Sequence, residues 1–150
     1  MFTLAEHLKT FADSAESIGI SLPFTSLRLA EMLEELLLKN NLHTGNIYMQ
    51  VTRGTAPRNH LFPTGNVTPT LVAYTIKGVR PLENLKSGVK AILTEDIRWL
   101  RCDIKSLNLL GNLLAKQKAN EQGCFEGIQH RGQDVTEGSS SNIFMVKNGT

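Results

Sequence analysis

The sequence predicts a mixed α/β (α+β) fold in two parts. Three observations carry that expectation. Apolar residues recur at helical spacing through the first forty residues, then with a period of two from Ile47. The stretch Lys77-Gly78-Val79-Arg80-Pro81 holds Gly and Pro and no periodic apolar face, which is where a crossover or domain linker belongs. Beyond it, strand and helix patterns alternate. Composition agrees, because 41% hydrophobic and 20% charged residues over 150 positions describe a chain that buries a core.

The first helix is expected from Leu4, Leu8, Phe11 and Ala15, with Thr3 and Glu6 as a capping box. A break at Ser21-Leu22-Pro23 precedes the second, in which Leu29, Met32, Leu33, Leu36 and Leu37 share one face while Glu31, Glu34, Glu35 and Lys39 face water. It should end near Asn40-Asn41 or at Gly45. Ile47, Met49 and Val51 then alternate with Tyr48, Gln50 and Thr52, a half-buried strand that runs into the loop Arg53-Gly54-Thr55-Ala56-Pro57. A second strand over 70–76 follows a loop rich in Pro, Gly and Asn and can pair with it antiparallel. After the linker come a strand over 89–93, a helix over 107–122 and a strand over 123–130. Short strands over 134–137 and 143–146 flank the small-residue turn Gly138-Ser139-Ser140-Ser141-Asn142. The end, Lys147-Asn148-Gly149-Thr150, carries an Asn-Gly hairpin signal with no strand after it, as if the sequence stopped in mid-sheet.

Sixteen basic and fourteen acidic residues leave a net charge of +2, too weak a field to argue for nucleic acid or an anionic membrane. The start shows no signal peptide, and the longest apolar run, at Leu36-Leu37-Leu38, is far short of the roughly 20 residues of a membrane span. A cytoplasmic, reducing setting follows, with Cys102 and Cys124 read as buried thiols rather than a disulfide. His7, His43 and His130 have no metal-ligand spacing with the cysteines, so no bound metal is expected.

Three segments can carry chemistry. Lys105, in Arg101-Cys102-Asp103-Ile104-Lys105-Ser106, lies between a strand and a helix. Most lysines are simply solvated, and on spacing alone that is the better reading; the other is a desolvated amine able to form a Schiff base and shuttle a proton. The loop Thr52-Arg53-Gly54-Thr55-Ala56-Pro57-Arg58-Asn59-His60 gathers two guanidinium groups and an imidazole, which can clamp a carboxylate or can be an exposed basic loop. Glu137 precedes a run of serines that is either a plain turn or a surface offering hydroxyls and N–H groups to a phosphate or a ring, with Glu137 facing a cationic nitrogen.

Together, Arg58 and His60 in Arg-Gly-Thr-Ala-Pro-Arg-Asn-His, Lys105 in Asp-Ile-Lys-Ser-Leu-Asn and Glu137 in Val-Thr-Glu-Gly-Ser-Ser-Ser-Asn resemble the D-amino acid aminotransferases. These belong to the class IV (fold type IV) aminotransferases, which use pyridoxal 5'-phosphate. The resemblance extends over essentially the whole chain, the run Arg98-Trp99-Leu100-Arg101-Cys102 included. It implies that Lys105 carries the cofactor and moves the proton between substrate Cα and cofactor C4′. It implies that Glu137 pairs with the pyridine nitrogen, with Ser139, Ser140 and Asn142 near the cofactor. It also implies a homodimer, in which the loop of Arg58 and His60 reaches the neighbouring active site and binds the substrate α-carboxylate. The implied reaction moves an amino group from a D-amino acid such as D-alanine to a 2-oxo acid such as 2-oxoglutarate, giving pyruvate and D-glutamate.

The pattern breaks in one place within the chain. The family's phosphate-binding arginine lies in a His-x-x-Arg-Leu segment, and here that segment is His7-Leu8-Lys9-Thr10-Phe11, so Thr10 stands at the arginine position and phosphate binding should be weaker. The family also has strands before Met1 and a long continuation after Thr150, so the chain reads as an internal piece of a two-domain enzyme, both domains incomplete. Residues 1–78 would form most of the small domain, 79–84 a linker and 85–150 the first part of the larger domain. Two alternatives stand beside this reading: a truncated, inactive relative, and a branched-chain amino acid aminotransferase or aminodeoxychorismate lyase of the same class. The Arg58-x-His60 clamp argues against the last two, because the resemblance assigns it to the D-specific branch.

Overall fold

The computed structural model describes residues 1–149 and divides the chain into two compact units. The first comprises Met1–Arg80 together with Asp103–Lys105; the second comprises Pro81–Cys102 and the residues from Ser106 on. The mixed α/β expectation holds in both.

In the first unit, helices α1 (Leu4–Ser17) and α2 (Ser26–Lys39) precede strands β1 (Gly45–Thr52) and β2 (Thr70–Lys77). The core is Leu8 of α1 with Leu29 and Leu33 of α2, flanked by Leu4, Phe11, Phe24, Ala30, Ile47, Met49, Leu71 and Ala73. Except for Phe24, which precedes α2, the members follow from a period: positions three, four and seven apart on the helices, and every second residue on the strands. β1 and β2 pair antiparallel, Met49 opposite Ala73 and Tyr48 opposite Tyr74. On the face of the sheet away from the core the two tyrosine rings lie 5.0 Å apart, and Tyr48 donates to Gln50 Oε1. Thr25 caps α2 by accepting the Arg28 N–H. The capping box foreseen at Thr3 does not form: Thr3 is left-handed (φ 44°), and its hydroxyl makes no cap bond. That conformation turns the side chain away from the N–H groups it would have served.

The second unit is a β-α-β element with a hairpin. A short helix α3 (Leu82–Ser87) occupies part of the stretch read as linker, and is followed by β3 (Ala91–Glu95), α4 (Leu110–Glu121), β4 (Glu126–Arg131) and β5 (Asp134–Gly138). β3 and β4 are parallel; β4 and β5 are antiparallel with an irregularity at Gln129/His130. The third strand thus starts two residues later than its apolar run. The helix also starts late, because Asn108 donates its N–H to Ser106 Oγ and holds the preceding segment as a turn. Ala115 and Ala119 are the buried face of α4, and a Cβ on Gly127 would lie 3.0 Å from the Ala115 carbonyl oxygen, so glycine lets helix and strand approach.

Residues 143–146 are not a strand, because among the described residues no neighbouring strand offers them a ladder; Phe144, Met145 and Val146 are exposed. Asn148 and Gly149 both have positive φ, as their hairpin signal requires, while Thr150 lies outside the described residues. The cysteines are free as expected but not buried: Cys102 is exposed and Cys124 half-buried. Among the described residues no helix is long and apolar enough to cross a membrane.

Candidate active site

In the first unit, Lys105 ends the segment that returns from β3. Ile104 is buried, and the Lys105 backbone N–H donates to Ser14 Oγ of α1 at 3.0 Å. Ser14 is itself buried, so the root of the Lys105 side chain is fixed while the residue as a whole is exposed. The exposed Arg58 and His60 lie on the loop between β1 and β2. Asn59 Oδ1, between them, accepts the N–H of His60 at 2.7 Å and of Leu61 at 3.3 Å, an Asx turn that orients the segment. At the neck of this loop Gly54 has φ 107°, and a Cβ there would sit 2.2 Å from the Thr68 carbonyl oxygen. Thr10 is exposed on α1, and the ammonium of its neighbour Lys9 pairs with Asp13.

In the second unit, Glu137 is half-buried near the end of β5, opposite Gln129. Its Oε1 accepts a long bond, 3.3 Å, from the Gly138 N–H. The serine turn that follows is organised by a residue to which no sequence motif pointed, Glu126 at the start of β4. Glu126 is 5% exposed. Its Oε1 accepts the Ser139 hydroxyl and the Gly127 N–H; its Oε2 accepts the hydroxyls of Ser140 and Ser141, each at 2.9 Å. The Lys116 ammonium stands 3.7 Å away. Burial by itself would raise the pKa of this carboxyl, but the Ser139, Ser141 and Ser140 hydroxyls and the Gly127 N–H outweigh it and hold the value down to about 2. Backbone bonds close the turn: the Gly138 N–H donates to the Ser141 carbonyl, and the Ser139 N–H to that of Gly127. A Cβ on Gly138 would meet the Ser141 carbonyl oxygen at 2.4 Å, so the turn can close only over glycine.

A second buried carboxylate braces the same sheet. Asp96, whose side chain is fully buried, takes Nε and Nη2 of Arg98 at 2.9 Å each, the Thr136 hydroxyl at 2.8 Å and Arg131 Nε at 3.2 Å. The Arg98 guanidinium first, with the Thr136 hydroxyl, keeps Asp96 far below the usual carboxylate range despite its burial. These contacts join the ends of β3 and β4 to the middle of β5, one residue from Glu137.

Of the residues singled out in the sequence, Glu137, Ser139 and Ser140 therefore come together on one sheet end, Ser139 buried and Ser140 exposed, with the exposed Asn142 just beyond. Lys105, Arg58 and His60 belong to the other unit. Glu126 and Asp96 carried one sequence signal, an acidic residue inside or at the end of a strand run, which burial permits only with partners.

The amino-transferase class IV family model matches residues 1–150. The D-alanine aminotransferase of Staphylococcus epidermidis is 56% identical over 149 residues, which is 99% of this chain and 53% of that protein. The D-alanine aminotransferase of Listeria monocytogenes is 47% identical over 150 residues, 99% of this chain and 52% of its own length. Among solved structures, the branched-chain amino acid aminotransferase of Escherichia coli matches with a TM-score of 0.84 at 24% identity, over 99% of this chain and 51% of that one, a likeness of fold. The chain spans about half the length of the curated relatives it matches.

Proposed function

The chain belongs to the class IV aminotransferases, and from that membership we propose that its protein transfers the amino group of a D-amino acid, D-alanine foremost, to a 2-oxo acid such as 2-oxoglutarate. Pyruvate and D-glutamate would be the products. One observation carries the reading: Arg58-x-His60, Lys105 and Glu137 occur in this order in a chain 56% identical to a D-alanine aminotransferase.

The cofactor would be pyridoxal 5'-phosphate, and the donor set fits it. Lys105 offers an exposed amine on a backbone pinned by Ser14. Glu137 accepts a long bond, 3.3 Å, from the Gly138 N–H at Oε1, and a carboxylate has further lone pairs to offer a ring N–H. When bound, the cofactor supplies an aldehyde carbon for the amine and a ring that withdraws electrons from substrate Cα. Lys105 would hold the cofactor and carry the proton at substrate Cα. Glu137 would accept the pyridine N–H and keep that proton in place. Since the hydroxyl protons of Ser139 and Ser140 point to Glu126, and the Gly138 and Ser139 N–H groups close the turn, contacts from this turn to a ligand fall to its later backbone N–H groups, the hydroxyl lone pairs and Asn142. Arg58 and His60 would bind the substrate carboxylate, across the interface of a homodimer.

A weaker grip on the cofactor phosphate is part of the proposal, because Thr10 brings one hydroxyl and no charge to the position where the family has an arginine. An inactive relative is the second reading, and Thr10 is the observation that favours it.

The test is spectroscopic. Pyridoxal 5'-phosphate added to the protein should give a visible absorption band that is lost in Lys105→Ala; no band at saturating cofactor would refute the proposal. A coupled assay of D-alanine against L-leucine decides the branch, and turnover of L-leucine alone would favour a branched-chain enzyme.

A further inference from the structure

We propose that Arg53 is a positioning residue that latches the loop bearing Arg58 and His60 onto the C-terminal end of helix α1. The inference rests on the reading of that loop as a carboxylate clamp. Residues 53–69 contain no helix or strand, and unstructured loops beyond roughly 12–15 residues in compact domains are usually either functional or linker segments. Such a loop must be held if it is to present a guanidinium in one orientation.

Two anchors hold it. The first is the neck, where Gly54 lies against the Thr68 carbonyl and Val67. The second is Arg53, whose Nη1 donates to the Gly19 carbonyl at 2.8 Å and whose Nη2 donates to that of Ile18. These carbonyls lie just past the end of α1, at the negative end of the helix dipole, and α1 has no basic residue in its own last turn. Arg53 brings that missing cation from a position more than thirty residues later in the chain.

The same guanidinium lies over the Phe62 ring, with Cζ 3.9 Å from its centroid. The ring edge also covers Gly19, where a Cβ would be 3.9 Å from Phe62 Cε2 and 3.8 Å from Arg53 Nη1. Gly19, Arg53 and Phe62 thus form one stack, and Phe62 is two residues beyond His60. Residues 55–61, Arg58 and His60 among them, are strung between the neck and this stack. The planar fork is required, because a lysine can reach one carbonyl but cannot bridge two while stacking on a ring.

The experiment uses the full-length enzyme with cofactor. Arg53→Lys should raise KM for both the amino acid and the oxo acid by about tenfold, with kcat little changed, as expected when ground state and transition state lose the same carboxylate contact. Amide hydrogen exchange of residues 54–68 should become faster. Phe62→Leu, which leaves the charge in place, should shift both readouts in the same direction, and the double variant should add little to the larger single effect. Arg58→Lys is the reference. If it raises KM while Arg53→Lys and Phe62→Leu do not, the latch is refuted and the clamp stands. If none of the three raises KM, the clamp reading fails and the latch with it. Unaltered exchange at 54–68 in both Arg53→Lys and Phe62→Leu also refutes the latch, whatever the kinetics.

Discussion

Replacing Glu126 by glutamine tests how the serine turn is held. The carboxylate accepts four hydrogen bonds, from Gly127 N–H and the hydroxyls of Ser139, Ser140 and Ser141. An amide of the same shape keeps one acceptor oxygen and presents an NH₂ group to the donors on the other side, so at least one hydroxyl must rotate, and all the bonds lose their charge. The pKa sets the magnitude. A fall from the ordinary 4.5 to about 2 makes the folded state prefer the ionised form by about 3 kcal/mol, at about 1.4 kcal/mol for each factor of ten. Because the folded value is the lower one, this stabilisation is complete above about pH 5. It declines as pH falls through 4.5, where the unfolded chain takes up its proton first, and is gone near pH 2. Urea unfolding, followed by the fluorescence of Trp99 in the same unit, should therefore show Glu126→Gln less stable than the parent by about 3 kcal/mol at pH 7. The gap should shrink steadily between pH 5 and pH 3. Asp96 and every other acid titrate in both proteins, so they cancel in the difference. A gap that is constant from pH 7 to pH 3, or absent at pH 7, would refute the assignment of Glu126 as an ionised organiser of the turn.

Two further substitutions probe the same sheet. Asp96→Asn leaves Arg98 and Arg131 facing a neutral group in a site where the aspartate is fully buried; a loss of about 3–5 kcal/mol is expected, measured by urea unfolding at pH 7, and a loss under 1 kcal/mol would show that the arginines find other partners. Gly138→Ala puts a Cβ 2.4 Å from the Ser141 carbonyl oxygen and 2.6 Å from its hydroxyl. Amide exchange of the turn after β5 should accelerate in this variant, and a variant with parental exchange would show that the turn can open without cost.

The regular elements were legible wherever the period of apolar residues is imposed by a single face. Ile47 and Met49 are read correctly from alternation because they meet the core of Leu8, Leu29 and Leu33, as do Leu71 and Ala73 of the strand expected over 70–76. Errors fall where a tertiary partner decides. Residues 143–146 have the composition of a strand, but composition supplies no neighbour, and without one the backbone donors and acceptors have no ladder to join. Thr3 and Glu6 have the right spacing for a capping box, yet the chain enters α1 through a left-handed residue and the hydroxyl cannot reach its donor. Both failures have one physical source, since a local pattern states what a segment can do and its surroundings choose among the possibilities.

The serine run shows the same principle at the site. From the sequence its hydroxyls suit a phosphate, because Ser139, Ser140 and Ser141 are small, adjacent and follow a carboxylate. In the fold they meet Glu126 instead, thirteen to fifteen positions earlier on the neighbouring strand. An ionised carboxylate has no proton to give, so every hydroxyl on it must donate, and the orientation of all three is settled at once. Glu137, one residue before this turn, gains from that order: its backbone is clamped by the strand pairing to Gln129 on one side and the closed turn on the other. If Glu137 has the role proposed for it, accepting one N–H from a planar ring, a fixed root serves it more than nearby charge, and the charge that orders the turn is on the buried Glu126.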